Sequence, residues 1–116
     1  MYTIKFHPLG LADVKSLPKN TKNALRKQLL ERLGTDPEGC STELQGELKH
    51  FRSFHWRKYR VVFRVFHDLR AVAIVGVGKH SSDQAKDVYH RLELLVSGAK
   101  MAEKVLVSLR GFTEAG

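Results

Sequence analysis

The spacing of hydrophobic and polar residues divides this chain into a helical first part, a strand-rich middle and a second helical region. The first residues are an exception to the helical spacing. YTIKFH over 2–7 alternates between apolar and polar side chains and is rich in strand formers. The pattern predicts a first strand that Pro8 closes, because proline cannot donate to a strand ladder.

Two amphipathic runs follow this strand. Apolar residues recur at helical spacing over 9–17, where Pro18 stops the pattern. They recur again over 21–33, and Gly34 ends that run. Asn20 is placed to cap the second run with its side chain. The two runs together predict a helical hairpin with one apolar face.

The residue types change after the second run. GTDPEGCST over 34–42 concentrates glycine, proline and small polar residues, which predicts an exposed loop. Three runs rich in valine and aromatic residues follow, over 48–55, 58–67 and 71–78. Only a tight turn separates the last two runs, so the sequence predicts three consecutive antiparallel strands.

Helical spacing returns near residue 81. The segment 81–100 opens with serines suited to a helix N-cap and carries Asp83 near the expected helix start. A further amphipathic stretch covers residues 100–112. We expect one α+β domain over 1–97, in which the first strand and the helical hairpin pack on an antiparallel sheet and a helix follows. A C-terminal helical extension over 98–116 completes the chain.

Composition and charge narrow the class of protein. A chain of 116 residues fits a single domain. No apolar run reaches the roughly 20 residues that a membrane span requires, and the first ten residues are unlike a secretory signal. The single cysteine, Cys40, cannot form an internal disulfide, so we expect a cytoplasmic protein. The formal net charge of +8 suits a polyanion or an acidic protein partner.

The positive charge is concentrated in the strand-rich middle. Seven basic residues and one acid, Asp68, lie between Lys49 and Arg70. Alternation along the strand places Arg60 and Arg64 on the face opposite the core-like valines and aromatics. A surface of one charge sign beside stackable aromatics suits RNA or an acidic peptide, although a merely solvated strand is the alternative.

The pairing register of the preceding strand is left open by the sequence. Alternation places two sets of side chains on opposite faces of that strand, and either set can lie on the same face of the sheet as Arg60. One set is Arg52, Phe54 and Trp56, and the other is Phe51, Ser53 and His55.

Five short motifs occur one after another along the chain. They are an L-x-G-x-L segment, a basic strand, a Y-R strand followed by hydrophobic and aromatic residues, a glycine with basic residues at a strand end, and a V-Y pair on the last helix. The residues concerned are Leu44, Gly46 and Leu48, then Tyr59 to Phe63, then Gly78, Lys79 and His80, then Val88 and Tyr89. In this order, over residues 2 to about 95, the sequence resembles the RelE/ParE superfamily of type II toxin-antitoxin toxins.

The resemblance implies a toxin that is neutralised by a small antitoxin protein. Members similar to RelE are ribosome-dependent endoribonucleases that cut mRNA in the decoding site, whereas members similar to ParE poison DNA gyrase. The fold alone does not separate these activities. We expect the nuclease, with mRNA and the ribosome as partners. A gyrase inhibitor, or an inactive member that only binds antitoxin, remains the alternative.

Metal-independent RNA cleavage uses the 2′-hydroxyl as nucleophile and needs proton transfer and stabilisation of a negative phosphorane. The resemblance assigns Arg60 to the phosphate and Tyr89 to base stacking or proton transfer. His80 and His55 stand where the family often has arginine, and histidine can exchange protons near neutral pH. Ser53 replaces a residue that is commonly basic. The expected catalytic residues are Arg60, His80, Tyr89 and His55.

Other basic residues are expected to contact RNA or the ribosome through phosphates. These residues are Lys49, Arg52, Arg57, Lys58, Arg64 and Lys79. The six histidines have no metal-binding spacing, so we expect neither a metal nor another cofactor. Cys40 has no identified base and is not expected to act as a nucleophile.

Overall fold

The computed structural model describes residues 1–81, 87–97 and 113–114. It shows an α+β fold in which one sheet has the strand order β2-β3-β4-β5-β1-β6. The strands are β1 (Thr3–Phe6), β2 (Thr42–Glu43), β3 (Arg52–Trp56), β4 (Tyr59–Phe66), β5 (Ala71–Lys79) and β6 (Thr113–Glu114). The helices are α1 (Pro8–Lys15), α2 (Lys19–Gln28) and α3 (Val88–Ser97). The predicted fold class is confirmed.

The helical hairpin forms as predicted, but its ends differ in detail. Pro8 both closes β1 and starts α1, where Nδ1 of His7 accepts a hydrogen bond from the backbone N–H of Leu9. Asn20 lies inside α2, whose N-cap is Pro18, so the predicted side-chain cap is wrong. The chain after α2 widens into a π-helical turn, Leu29–Leu33.

The three middle strands pair antiparallel as predicted. The first of them begins four residues later than expected, because a 3-10 turn occupies Gly46–Leu48. Gly46 has a φ of +65°, a backbone conformation that favours glycine. Three features were not predicted. The short strand β6 pairs antiparallel with β1, at positions where a helical extension over 98–116 was expected. The short strand β2 pairs with β3 at the end of the expected loop, and β1 runs parallel to β5, which makes the sheet mixed.

Both faces of the sheet are covered. The predicted core face is confirmed, because Val61 and Phe63 are buried with Val14 of α1 and Leu25 of α2. The opposite face also carries a core, in which Val62 packs with residues from α3. Those residues are Val88 and Leu92. The face that carries Arg60 is therefore open only where α3 leaves it uncovered, which corrects the expectation of a broad basic surface.

Two glycines of β5 let α3 lie close to the sheet. An added Cβ at Gly76 would lie 2.8 Å from Cδ1 of Leu92, and one at Gly78 would lie 3.1 Å from Cβ of Val88. A β-bulge leaves Val75 as an extra residue between the pairs Val62–Gly76 and Phe63–Ile74. Val75 packs in the α3 core beside Gly76, so the bulge turns two successive positions toward the helix.

The start of α3 differs from the prediction. The helix begins at Val88, with Asp87 immediately before it, whereas the expected serine cap at Ser81 lies six residues earlier. Asp83 lies outside the described residues, as do 98–112 and 115–116 of the expected extension. None of the helices in the described ranges has the length and apolar character needed to span a membrane.

Candidate catalytic cleft

An open cleft of about 460 Å³ lies on the α3 side of the sheet. The L-x-G-x-L segment forms one wall, the end of β3 and the start of β4 form the floor, and the start of α3 forms the other wall. The residues that line the cleft are Leu44, Gln45, Leu48, His55, Arg60, His80, Asp87, Tyr89 and Glu93. The four residues predicted from the sequence as catalytic all lie in this cleft.

Strand pairing brings three of the site positions into line. His55 of β3 lies directly opposite Arg60 of β4, and Arg60 lies opposite Gly78 of β5. Directly paired side chains on one face have Cβ atoms about 4.5–5.5 Å apart. His80 follows two residues after Gly78, just beyond the end of β5. The register that the sequence left open therefore puts Ser53 and His55, and not Arg52, on the face of Arg60.

The side chain of Arg60 is held by the β3–β4 hairpin. Its Nη1 donates to the carbonyl oxygen of Tyr59 at 3.0 Å and to that of Arg57 at 3.5 Å. No described carboxylate lies within ion-pair distance of Arg60. Since both bonds use Nη1, the N–H groups on Nε and Nη2 are available to a phosphate, which a guanidinium binds with two parallel hydrogen bonds.

His55 is exposed at the mouth of the cleft, and its electrostatic surroundings are cationic. Part of the imidazole is nonetheless shielded from solvent, and this partial burial lowers the pKa of His55; the electrostatic effects of Arg60 and His80 lower the pKa further. Each of these effects disfavours the imidazolium. His55 is therefore neutral at neutral pH and has a ring nitrogen able to accept a proton.

His80 has a different partner, a carboxylate. Its Nδ1 lies 2.8 Å from Oδ1 of Asp87. Asp87 is buried, and it also accepts hydrogen bonds from the backbone N–H of Ser81 at 3.0 Å and of His90 at 3.2 Å. Burial alone would raise the pKa of Asp87, but the hydrogen bonds from His80 and the two N–H groups outweigh it and lower the pKa.

Asp87 is the site residue that the sequence analysis missed. Its bond to the N–H of His90, three residues on, makes it the N-cap of α3. An aspartate directly before the apolar run that starts at Val88 is the signal that would have identified the cap. Its contact with His80, seven residues earlier, has no counterpart in any local sequence pattern.

Tyr89 lies between His80 and the sheet. Its hydroxyl is 2.7 Å from Oγ of Ser53, and its ring meets the ring of His80 edge to face with the centroids 5.1 Å apart. Ser53 is only 1% exposed. The small, buried serine therefore leaves room for the tyrosine hydroxyl and fixes its position.

The six residues predicted to contact RNA or the ribosome do not form one surface. Arg52 is bound within the protein, because its Nε donates to Oγ of Ser41 at 2.7 Å and its Nη1 lies 3.7 Å from Glu43. Arg64 extends over the ring of Phe66 at 5.4 Å, and burial lowers its pKa. Lys49 lines a separate small cleft.

The other three lie around the tip of the β3–β4 hairpin. Arg57, with a φ of +54°, stacks over Trp56 at 4.3 Å, and the Trp56 ring stacks on Tyr59. Lys58 lies 5.6 Å from the Tyr59 ring. Lys79 lies opposite Tyr59 in the register and so belongs to the face away from Arg60. Lys58 and Lys79 line a second open cleft together with Tyr59, apart from the candidate catalytic cleft.

Within residues 1–81 and 87–97, no group of three histidine, cysteine, aspartate or glutamate side chains is arranged to hold a metal ion. The cleft combines a guanidinium that pairs with no described carboxylate, a histidine with a lowered pKa and a carboxylate-bound histidine. The fold and the cleft thus define a small basic α+β protein with a site suited to binding a phosphodiester and transferring protons beside it.

The family follows from comparison with known proteins. Residues 4–84 match the sequence model of the family described as the ParE toxin of type II toxin-antitoxin system, parDE, which is more than half of the chain. The chain belongs to this family, within the RelE/ParE superfamily of type II toxin-antitoxin toxins. No curated protein matches the chain.

Solved structures show the same fold. The RelBE2 toxin-antitoxin complex from Mycobacterium tuberculosis matches with a TM-score of 0.65 and 24% identity, over 67% of this chain and 90% of that one. The intact Escherichia coli RelBE complex matches with a TM-score of 0.58 and 25% identity, over 70% of this chain and 99% of that one. The isolated E. coli RelE toxin matches with a TM-score of 0.58 and 22% identity, over 83% of this chain and 99% of that one.

Proposed function

We propose that this toxin is a ribosome-dependent endoribonuclease that cleaves mRNA without a metal and so inhibits translation. The observation that carries the proposal is the meeting of His55, Arg60, His80 and Tyr89 in one open cleft. Three of these side chains supply the groups that 2′-hydroxyl attack on a phosphodiester requires: a proton acceptor, a phosphate-binding cation and a proton donor.

The proposed reaction divides proton transfer between the two histidines. His55, neutral because of burial and its cationic neighbours, accepts the proton of the 2′-hydroxyl as the oxygen attacks the adjacent phosphorus. Arg60 binds the non-bridging oxygens and stabilises the additional negative charge of the phosphorane. His80 gives a proton to the departing 5′-oxygen. The products are a 2′,3′-cyclic phosphate and a free 5′-hydroxyl, and the two histidines have exchanged protonation states.

Tyr89 serves this site as a platform. Since its hydroxyl is hydrogen-bonded to Ser53, the ring has a fixed position beside His80. An aromatic face of this kind stacks on an unpaired RNA base, which is worth about 1–3 kcal/mol per base in other systems. Stacking would place one nucleotide, and hence the phosphate next to it, against Arg60.

The partners follow from the same proposal. The cations at the hairpin tip, Arg57, Lys58 and Lys79, would contact ribosomal RNA phosphates while the cleft holds mRNA. The structures of similar fold include toxin-antitoxin complexes, and we propose a cognate antitoxin that neutralises this toxin. The proposed site of action is the cytoplasm, where ribosomes and mRNA meet.

The second candidate is a gyrase inhibitor. It is favoured by one observation, the match of residues 4–84 to a family described by its ParE toxin. This function requires binding and no proton transfer, so it would give no role to the two histidines and the carboxylate beside them. An inactive member that only binds antitoxin is the third candidate, and it too would leave the cleft without a chemical role.

Primer extension on a reporter mRNA after brief induction tests the proposal. Three forms are compared: the wild type, Arg60→Ala, and Arg26→Ala as the matched control. Arg26 is an exposed arginine of α2, which packs on the opposite face of the sheet. We expect codon-phased cuts with the wild type and Arg26→Ala, and none with Arg60→Ala.

The other outcomes separate the candidates. Intact mRNA together with a DNA-damage response would identify a gyrase inhibitor and overturn the nuclease. Unchanged growth on induction, with the protein present and able to bind antitoxin, would identify an inactive member. Cuts that persist at full strength in Arg60→Ala would leave the nuclease standing but remove Arg60 from its site.

A further inference from the structure

The carboxylate of Asp87 is the most fully bound polar group of the cleft. Oδ1 accepts from Nδ1 of His80 and from the N–H of Ser81, and Oδ2 accepts from the N–H of His90. Its backbone carbonyl accepts the N–H of Arg91 in the first turn of α3. The helix start therefore fixes the carboxylate, and the carboxylate in turn holds a histidine that does not belong to the helix.

The direction of the bond to His80 follows from elementary chemistry. The pKa of Asp87 is lowered, so the group is ionised at neutral pH and its oxygens can only accept. Nδ1 of His80 must then carry the hydrogen. In the neutral imidazole this leaves Nε2, on the far side of the ring, as the unprotonated nitrogen. Without such a partner, the choice between the two tautomers would be left to solvent.

We propose that Asp87 is a positioning residue, which holds His80 as the Nδ1–H tautomer with Nε2 directed to the substrate and stabilises the imidazolium when Nε2 takes up a proton. The catalytic part of this inference rests on the proposed nuclease activity. The same arrangement, a carboxylate that orients a histidine by its other nitrogen, recurs in unrelated enzymes for this reason.

Charged and titratable groups from three elements face His80. Arg60 on β4, His55 on β3 and Glu93 on α3 line the same cleft. Tyr89 packs against the ring edge. Asp87 is the carboxylate in direct contact with the imidazole. The two histidines therefore differ in their electrostatic surroundings, since His55 has cationic neighbours and His80 has an anionic one.

Two substitutions test Asp87 while keeping the start of α3. Asp87→Asn and Asp87→Ser both retain a side chain that caps helices well, so the fold is expected to survive. The amide keeps a neutral, weaker acceptor near Nδ1, and the shorter serine removes it. Asp68→Asn is the matched control, because Asp68 is an exposed carboxylate in the β4–β5 turn.

The first measurement is NMR of the free protein with ¹⁵N-labelled histidine, in which two-bond couplings report which ring nitrogen of neutral His80 carries the hydrogen. We expect the Nδ1–H form in the wild type and in Asp68→Asn, a mixture in Asp87→Asn, and mainly Nε2–H in Asp87→Ser. The second is the single-turnover rate of mRNA cleavage on programmed ribosomes. We expect both Asp87 variants to be slower by about 10- to 100-fold, with Asp68→Asn unchanged.

The two measurements fail independently. If neutral His80 keeps the Nδ1–H form in Asp87→Ser, whose backbone spectrum shows an intact fold, the positioning role is overturned whatever the cleavage rate. An undiminished cleavage rate in both folded Asp87 variants would overturn its catalytic part. If the wild type cleaves no mRNA but its tautomer depends on Asp87 as expected, the nuclease fails and the positioning of His80 stands.

Discussion

The hydroxyl of Tyr89 lies 2.7 Å from Oγ of Ser53, and this bond joins the first turn of α3 to the start of β3. From the sequence resemblance, we expected a basic residue at position 53. In this protein the buried serine cannot reach a substrate phosphate, because the tyrosine covers it. The serine at position 53 thus helps to hold an aromatic ring beside His80.

A double-mutant cycle measures this bond. Ser53→Ala and Tyr89→Phe each remove one partner, and each is expected to lower the free energy of unfolding by about 0.5–1.5 kcal/mol. The double variant should be less destabilised than the sum of the two, since the second substitution removes a bond that is already broken. Urea unfolding of the wild type and the three variants gives the loss in free energy of unfolding for each variant. Additive losses would mean that the hydroxyls do not interact in solution.

The electrostatic coupling of His55 and Arg60 gives a prediction about pH. The pKa of His55 is lowered by burial first and then by the charges of Arg60 and His80. Arg60→Gln removes one of those charges, so the pKa of His55 should rise while remaining below its ordinary value, because burial is the larger cause. An NMR titration of the His55 ring resonances measures this shift.

Arg64→Gln is the control for that titration. Arg64 lies on the same face of β4 but four residues along, roughly 13 Å at the usual rise of a strand. Its guanidinium lies over Phe66 and away from His55. The pKa of His55 should be the same in this variant as in the wild type. Equal shifts in both variants would indicate an effect of net charge and not of the pairing across β3 and β4.

The close approach of α3 to β5 predicts that Gly76 cannot be enlarged without cost. Gly76→Val would push branched carbons into Leu92, whose Cδ1 lies 2.8 Å from the position of an added Cβ. Overpacking of this kind costs about 1–3 kcal/mol. The second substitution Leu92→Ala should recover part of the lost stability in Gly76→Val, although it is destabilising by itself. Thermal unfolding of the four forms checks this, and no recovery would place the strain elsewhere.

The cations at the hairpin tip lead to a prediction about how ribosome binding depends on salt concentration. If Lys58 and Lys79 contact ribosomal phosphates, the double variant Lys58→Gln, Lys79→Gln should reduce the slope of log affinity against log salt by about 2. Arg26→Gln with Lys27→Gln removes the same charge from α2. Sedimentation with ribosomes at several salt concentrations measures both slopes. Equal slopes for the two double variants would show that only net charge matters.

The lowered pKa of Asp87 predicts that acid destabilises the protein partly through this group. A carboxylate with a lowered folded-state pKa contributes stability above its unfolded pKa and loses it as the pH falls through the folded value. Between about pH 5 and 2, the wild type should therefore lose more free energy of unfolding than Asp87→Asn. Urea unfolding across this range measures the difference. Asp68→Asn should follow the wild type, and a wild-type-like Asp87→Asn would exclude this contribution.

Local patterns in the amino-acid sequence were enough to predict the order and type of most elements. Alternation and helical spacing are local properties, so they sufficed for β1, the helical hairpin and the three antiparallel strands, and for the core face that contains Val61 and Phe63. The same patterns were wrong at two ends of these elements. Asn20 is not a cap, and the turn at Gly46 delays β3, because packing of the neighbouring elements sets these ends.

The contacts within the cleft depend on packing that the sequence patterns do not reveal. Arg60, His55, His80 and Tyr89 could be named from motifs, but the pairing of His55 with Arg60 depends on a register that alternation leaves undetermined. Asp87 meets His80, and Ser53 meets Tyr89, only because two glycines of β5 admit α3 close to the sheet. Contacts between residues far apart in sequence arise from packing, which no periodic pattern along the chain encodes.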